Sequence, residues 1–342
     1  MAGSEGTGLA VIGSGSWGRN HVRSLATMAG AELRWVCEKD EAAAQAVRAN
    51  HPGVQVTADL DQVLADDAVT GVVIATHAPS HAAIGRAALE AGKDALIEKP
   101  LALDPEDAAD LVRLADESGR ILMVGHLLLH HPAVEALKAL VDSGELGDIL
   151  YVVCRRLNLG VVRQNENAWW SLAPHDLSIA RYLLGAEPVA VSATGGAFLQ
   201  QEAGIEDVVF ATVRFAGDRL AHVHVSWLDP HKTRMLTVVG SKKMAVFDDT
   251  SGDQKLKIYD KGVEPPATLT YAQGVRVRTG DIRIPAIRMS EPLRREHEAF
   301  VYAIESREPP LGDGRSGLAV VRALEAGSRS LAAGGTEMKV QS

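Results

Sequence analysis

Three glycines, two carboxylates, a lysine and a histidine are the residues of this sequence whose types and spacing could do chemistry. Gly13, Gly15 and Gly18 form a G-x-G-x-x-G run with Ser14, Ser16 and Trp17 between them. Glu38 follows twenty positions after Gly18. Glu98 and Lys99 stand together ahead of Pro100, and His175 lies between Pro174 and Asp176. Such a glycine run turns the chain tightly at its first position. It lets the backbone approach a pyrophosphate at its second and packs a helix at its third. A carboxylate about twenty residues on accepts both ribose hydroxyls of an adenosine. It would also repel the additional phosphate of NADP, and Lys39 is the only nearby cation. NAD is therefore the expected cofactor, ahead of NADP.

Lys99 and His175 are the candidates for moving a proton. A lysine that loses solvent beside other charges has its pKa tuned for proton transfer. The plainer reading of Lys99 is a surface lysine after a strand. Histidine is the commonest acid–base side chain. The plainer reading of His175 is a satisfied core residue.

The elements that must position these groups follow from periodicity. Leu9–Ile12 is a short apolar run of the kind that forms a buried parallel strand, and it leads directly into the glycines. Helical spacing over Arg19–Ala29 places a helix N-terminus after them, offering free N–H groups to phosphates. Strands are expected at Leu33–Cys37, Val54–Thr57, Val69–Ala75, Ala95–Ile97 and Ile121–Val124, with helices over Ser80–Ala91 and Asp104–Ser118. This alternation predicts an α/β Rossmann domain, a doubly wound parallel sheet, over residues 1–125. Ligands bind beyond the carboxyl ends of such strands. That puts Thr76, His77, His81, Glu98 and Lys99 in the cofactor-facing set with Gly13, Gly15, Ser16, Trp17, Gly18 and Glu38.

Trp169–Gly185 reads as one helix, with Pro174 suited to a first turn and Gly185 to the position past the end. Leu172, His175, Ile179 and Leu183 share an inward stripe at helical spacing. A helix over Ala133–Val141 and a strand at Leu150–Arg156 come before it, followed by a polar loop at Asn158–Asn167. Asn158 and Arg163 in that loop are candidate substrate contacts. The Arg163 fork suits a diphosphate or a uronate carboxylate, or it is a solvated loop arginine. Strands follow at Val189–Thr194, Asp207–Phe215, Arg219–Trp227, Arg234–Val239, Met244–Phe247 and Leu256–Tyr259. In Ala221–Val225 the alternation sets His222 and His224 on one face, a sheet or subunit face. Val263–Pro285 shows no regular pattern, and helices are expected over Glu291–Ser306 and Arg315–Ala333. Residues 126–342 are thus expected to form an α+β domain for substrate and oligomerisation around a mostly antiparallel open sheet, with the last helices able to pack back on the first domain.

Composition narrows the function classes. The net charge of −9 and the lack of a basic run argue against nucleic acid or an anionic membrane as partner. No apolar run reaches membrane-span length. The first eight residues, small and polar, are expected to be a floppy leader and not a signal peptide. Cys37 and Cys154 fit buried free thiols in a reducing, cytoplasmic setting. No histidine spacing resembles a metal site, so none is expected.

The sequence resembles the Gfo/Idh/MocA oxidoreductase family. The likeness rests on Gly13–Gly18, Glu98-Lys99-Pro100, Val124-Gly125-His126 with His131-Pro132, and Pro174-His175-Asp176, and it spans essentially the whole chain. It implies an NAD(P)-binding first domain, a substrate-carrying second domain that makes dimers or tetramers through its sheet, and proton transfer by Lys99 and His175. Within the family, the wording of Trp170–Gly185, Ser226–Lys232 and Thr237–Asp249 resembles members that oxidise carbon 3 of nucleotide sugars such as a UDP-N-acetylhexosaminuronate. Asp176 and His231 join the substrate candidates on that basis. So does Ser171, which replaces the family's usual Asp one turn before the histidine and supplies no charge there. The implied reaction is hydride transfer from a sugar carbon to NAD⁺. Two rivals stay open: a keto-deoxysugar reductase, and a non-catalytic NAD-binding sensor.

Overall fold

The computed structural model describes residues 6–160, 162–264 and 276–341. The chain divides into two compact units, and the division does not follow the chain in one cut. The first unit holds the residues up to His130 together with Ser290–Val321, and the second holds His131–Met289 and Arg322 onward.

In the first unit six strands form one parallel sheet: β1 (Thr7–Ile12), β2 (Ala31–Cys37), β3 (Gln55–Thr57), β4 (Gly71–Ile74), β5 (Asp94–Glu98) and β6 (Leu122–Gly125). Their order is β3-β2-β1-β4-β5-β6, so the winding reverses at β1, whose carboxyl end carries the glycine run. The connecting helices are α1 (Gly18–Leu25), α2 (Glu41–Asn50), α3 (Leu60–Leu64), α4 (His81–Glu90) and α5 (Pro105–Ser118). Strands β4 and β5 are buried along their whole length, as strands covered on both faces must be. Asp40, Asp59 and Asp104 cap the helices that follow them by accepting backbone N–H bonds. The capped helices α2 and α3 are additions to the sequence-based reading. Thr7 and Gly8, expected in a leader, belong to β1; residues 1–5 of that stretch lie outside the described residues.

The second unit opens with α6 (Pro132–Asp142), β7 (Ile149–Leu157) and α7 (Ala168–Leu184). Strands β8 (Pro188–Gly196), β9 (Val208–Phe215), β10 (Arg219–Ser226), β11 (Thr233–Gly240), β12 (Met244–Asp248), β13 (Leu256–Glu264) and β14 (Arg276–Arg283) follow. All neighbours pair antiparallel except β7 and β10, which run parallel in register from Leu220↔Tyr151 to Ser226↔Leu157. Helix α7 packs on β7, β9 and β10. The strand β14 corrects the reading of Val263–Pro285 as irregular. It pairs with β13 although half of its residues are charged and Val277 and Ile282 lie exposed, so no buried apolar face marks it in the sequence; residues 265–275 of the stretch lie outside the described residues.

Downstream the chain returns to the first unit with α8 (Pro292–Ser306). Phe300, Val301, Ala303 and Ile304 join Leu9, Val11, Val73, Leu96 and Met123 in its core. Arg307 follows in the left-handed region at φ 61° and places its guanidinium on the buried Asp94, with contacts of 2.7 and 2.9 Å. That ion pair offsets the cost of a non-glycine left-handed residue, about 1–2 kcal/mol. The last helix, α9 (Gly314–Ala332), begins in the first unit and ends in the second. Finally β15 (Met338–Lys339) pairs with β8 at the edge of the nine-stranded sheet, in the order β14-β13-β12-β11-β7-β10-β9-β8-β15.

Candidate active site

The glycine run departs from β1 in a conformation that a side chain would oppose. Gly13 has φ +90°, and a Cβ there would lie 3.0 Å from the Ala75 carbonyl oxygen. A Cβ on Gly18 would approach the Gly13 carbonyl oxygen to 2.1 Å, so the turn closes only around glycine. A Cβ on Gly15 meets nothing within 4 Å, which leaves its backbone open to a ligand. Helix α1 then starts at Gly18 with no side-chain cap and no acid in its first turn. Its N–H groups and dipole are available to a pyrophosphate.

Glu38, just past β2, is already oriented. One carboxylate oxygen accepts from the Ser14 N–H (2.6 Å) and Oγ (2.9 Å), and the other from the Asp40 N–H (2.9 Å). Burial alone would raise this carboxyl. The Asp40 and Ser14 donors outweigh it and hold the group below its usual range. An ionised carboxylate with lone pairs to spare fits two ribose hydroxyls. The open glycine turn, the uncapped helix end and Glu38 are therefore a donor and acceptor set that suits NAD.

At the end of β4, Ser80 Oγ donates to Thr76 Oγ1 (2.8 Å), while His77 is exposed. His81 is enclosed. Its Nδ1 faces the Pro100 carbonyl oxygen at 2.7 Å and its Nε2 the Thr76 carbonyl oxygen at 3.1 Å. It braces these two loops against each other and presents no ring nitrogen outward. Glu98 is likewise buried. Its Oε1 accepts from Trp17 Nε1 (2.6 Å) and faces His21 Nε2 (3.0 Å), and its Oε2 accepts from the Lys99 N–H (3.1 Å). Burial raises the Glu98 carboxyl, but the His21 bond, the Lys99 ammonium and the Trp17 bond hold it below its usual range. Gly125 makes the space, since a Cβ there would stand 3.0 Å from the Glu98 carboxylate. Lys99 emerges half-buried from this hub, ahead of a cis bond to Pro100. Ser16 and Trp17 lie exposed on the glycine turn.

In the second unit, α7 begins at Asn167, whose side chain accepts from the Trp170 N–H (3.1 Å). Trp169 Nε1 donates to the Leu324 carbonyl oxygen (2.9 Å) and Trp170 Nε1 to Ser328 Oγ (2.8 Å), fixing the helix along α9. Two expectations need correction here. Pro174 is inside the helix and not in its first turn. The Asn167 cap and the two tryptophan anchors secure the turn that the proline deprives of an N–H bond. Nor is there a narrow inward stripe. The helix is buried nearly all round, with Leu172 and His175 half-buried and Ser171 buried one turn before His175.

Asp176 is enclosed, and Arg156 of β7 grips it with two bonds, Nε to Oδ2 at 3.2 Å and Nη2 to Oδ1 at 2.9 Å. Its carboxylate ties α7 to the sheet, which is a different place from the substrate contact expected of it. Arg163 is exposed and pairs with Glu166 in its own loop (3.0 Å). Asn158 extends the β7–β10 pairing through its N–H to the Ser226 carbonyl oxygen (3.0 Å), and His231 is exposed on the β10–β11 loop. Because β7 and β10 end in register at Leu157 and Ser226, the loops bearing Asn158, Arg163 and His231 leave the same end of the sheet.

His21, Glu296 and His297 were not singled out from sequence. The one signal for His21 was its place four residues after Trp17, on the same face of α1. For Glu296 and His297 it was two polar residues midway along the expected helix Glu291–Ser306. Among the described residues no group of histidine, cysteine, aspartate and glutamate could hold a metal ion, and no helix is long and apolar enough to cross a membrane.

Two family models match parts of this chain. Residues 7–126 match an oxidoreductase family with an NAD-binding Rossmann fold, and residues 134–246 match the GFO/IDH/MocA C-terminal domain. The chain belongs to the Gfo/Idh/MocA oxidoreductase family. It is an NAD-dependent oxidoreductase. Among its relatives is an inositol 2-dehydrogenase of Rhizobium meliloti, 25% identical over 94% of this chain and 96% of the relative. The crystal structure of UDP-N-acetylglucosamine 3-dehydrogenase GnnA from Acidithiobacillus ferrooxidans superposes with a TM-score of 0.81 at 28% identity, over 96% of this chain and 98% of that one. GenD2 from gentamicin A biosynthesis, solved in complex with NAD, superposes with a TM-score of 0.82 at 26% identity, over 99% and 97%.

Proposed function

We propose that this enzyme oxidises a secondary hydroxyl of a sugar to a ketone, and that its substrate is a nucleotide sugar attacked at carbon 3, of the UDP-N-acetylhexosamine or hexosaminuronate class. The observation that carries the reading is the full-length likeness to the A. ferrooxidans UDP-N-acetylglucosamine 3-dehydrogenase. When bound, NAD⁺ supplies the hydride acceptor. The glycine turn, the start of α1 and Glu38 hold and orient the dinucleotide. Lys99 and His175 are assigned the hydroxyl proton. General acid–base transfer of that kind contributes about a hundredfold to ten-thousandfold. The loops carrying Asn158, Arg163 and His231 are assigned to the substrate, with the exposed Arg163 able to exchange its partner Glu166 for a phosphate or carboxylate. Ser171 leaves His175 with no carboxylate four residues before it in the helix.

The sheet face opposite α7 carries Tyr151, Phe210 and the half-exposed His224, with Phe210 stacked on His224 at 4.3 Å. A second copy of the chain is the partner assigned to this face. Two buried free thiols, Cys37 and Cys154, fit a cytoplasmic setting.

The test is a panel of UDP-sugars, free sugars and myo-inositol with NAD⁺, read by NADH absorbance on protein checked for bound cofactor. Turnover on UDP-N-acetylhexosamines or their uronates is the expected result. Turnover on myo-inositol alone would move the substrate to the cyclitol class of the R. meliloti relative.

A further inference from the structure

Beneath the lysine loop a line of buried polar side chains runs from α1 to α8 and back. His21 Nε2 faces Glu98 Oε1 at 3.0 Å; His21 Nδ1 faces His297 Nε2 at 2.8 Å; His297 Nδ1 faces Ser24 Oγ at 3.0 Å. His21 and His297 are both 0% exposed, and their rings stand 5.0 Å apart. An imidazole pair of this kind is an unusual choice for a helix–helix contact, where two leucines would pack at no polar cost.

The directions of these bonds can be worked out from their end. The Trp17 Nε1–H and the Lys99 N–H can only donate, so Glu98 must accept from both. An accepting carboxylate leaves His21 Nε2 to be the donor. When each ring carries a single proton, the Nδ1 of His21 is then an acceptor, which requires the proton of His297 on Nε2. His297 Nδ1 is left to accept from the Ser24 hydroxyl. Every member then has a partner, and the whole line points one way: Ser24 to His297 to His21 to Glu98. A second proton on the imidazole pair would reverse the two bonds behind His21.

We propose that His297 is a positioning residue for the redox reaction: by donating to His21 it fixes the tautomer in which His21 donates to Glu98, and so fixes the glycine turn at Trp17 and the backbone of Lys99. The proposal stands on NAD binding, and it draws on the assignment of Lys99 only for its effect on turnover. The groups facing the line are Glu98 and Lys99 after β5, His130 from the turn before α6, and Glu296 beside it on α8. Burial, with His21 and His130 close by, pushes His297 well below the usual histidine range, in keeping with a neutral ring.

Ring ¹⁵N spectra of the full-length protein at mildly alkaline pH read the tautomers directly, with and without NAD⁺. Both His21 and His297 are expected as Nε2–H forms, and an Nδ1–H form of either overturns the proposal. His297→Leu should mix the His21 tautomers and weaken NAD⁺ binding about tenfold, the scale of a buried hydrogen-bond partner removed. Turnover should fall further than binding. His297→Gln places an amide N–H where Nε2 was and should restore binding to within about threefold, a recovery that a purely space-filling role would not give. If His297→Leu fails to fold, Ser24→Ala reads the same line from its far end: the His297 Nδ1 resonance should shift as that nitrogen loses its donor, with the proton kept on Nε2. An unchanged His21 tautomer with unchanged NAD⁺ affinity in His297→Leu overturns the proposal. For Ser24→Ala, an unchanged His297 Nδ1 resonance, or a proton moved to Nδ1, does so. None of these measurements except turnover uses the sugar, so a wrong substrate class leaves them intact.

Discussion

Trp17 and His21 stand one helical turn apart and address the same oxygen of Glu98, at 2.6 and 3.0 Å. The turn that meets the cofactor phosphates and the strand end that presents Lys99 are thereby joined through one carboxylate. Glu98→Gln keeps an accepting oxygen for Trp17 and His21 but turns an amide N–H toward the Lys99 N–H. The variant should bind NAD⁺ about tenfold more weakly and lose roughly 1–3 kcal/mol of stability. Calorimetric titration and thermal melting check the two effects, and wild-type values in both would contradict the hub role.

Glu38→Ala should weaken NADH binding by at least about tenfold while changing NADPH binding much less, because the lost group reads the ribose hydroxyls. Dissociation constants for both cofactors decide it. An equal loss for the two would mean that Glu38 acts mainly through Ser14.

Replacing Lys99 with Met should leave NAD⁺ affinity within a fewfold of wild type and cut turnover at least about a hundredfold. His175→Asn should behave similarly. Turnover at the wild-type level in either variant would remove that residue from the reaction.

Glu296 makes stability depend on pH. It is 0% exposed, and among the described residues neither of its oxygens has a hydrogen-bond partner. Burial, then the charge of Glu98, holds its carboxyl well above the usual range. In the unfolded chain it titrates near about 4.3. Above that value the unfolded state gives up a proton that the folded state keeps, so this group's contribution to stability falls as pH rises toward the folded pKa. Below about 4.3 both states are protonated and the contribution is fully present. Glu296→Gln removes the slope. The melting temperature of the variant relative to wild type should climb between about pH 5 and pH 8. Parallel curves for the two proteins would show the carboxyl to be ionised in the fold.

Arg156 and Asp176 form a buried pair, and breaking it from one side strands a charge. Arg156→Met or Asp176→Asn should each cost about 3–5 kcal/mol, and the double replacement by apolar residues should cost markedly less than their sum. Denaturant titrations of the four proteins give the coupling energy; additive losses would contradict the pairing.

The parts of this molecule that were legible in sequence are those with a short-range signature. The glycine run, Glu38 and the β–α alternation gave the first sheet and its cofactor, because each turn and strand obeys local rules. The second sheet was legible strand by strand up to Leu256, but β14 was not, since half of its residues are charged and no buried apolar face marks it. Pro174 misled because a helix can carry a proline when its first turns are anchored elsewhere, here by Asn167 and two tryptophans. Asp176 looked available because its partner Arg156 lies on a strand twenty residues earlier. The His21–His297 contact spans 276 positions, and no local pattern announces it.

The return of α8 to the first sheet has a consequence for synthesis. The strands that receive Phe300, Val301 and Ile304 have all been made by Gly125, yet these side chains leave the ribosome only after the whole intervening sheet has been translated. At about 5–20 residues per second, the nascent nucleotide-binding unit waits on the order of ten seconds with one flank of its core uncovered. During that interval its apolar surface around Leu9 and Gly71 is open to chaperones, and a message truncated before α8 would leave it so permanently.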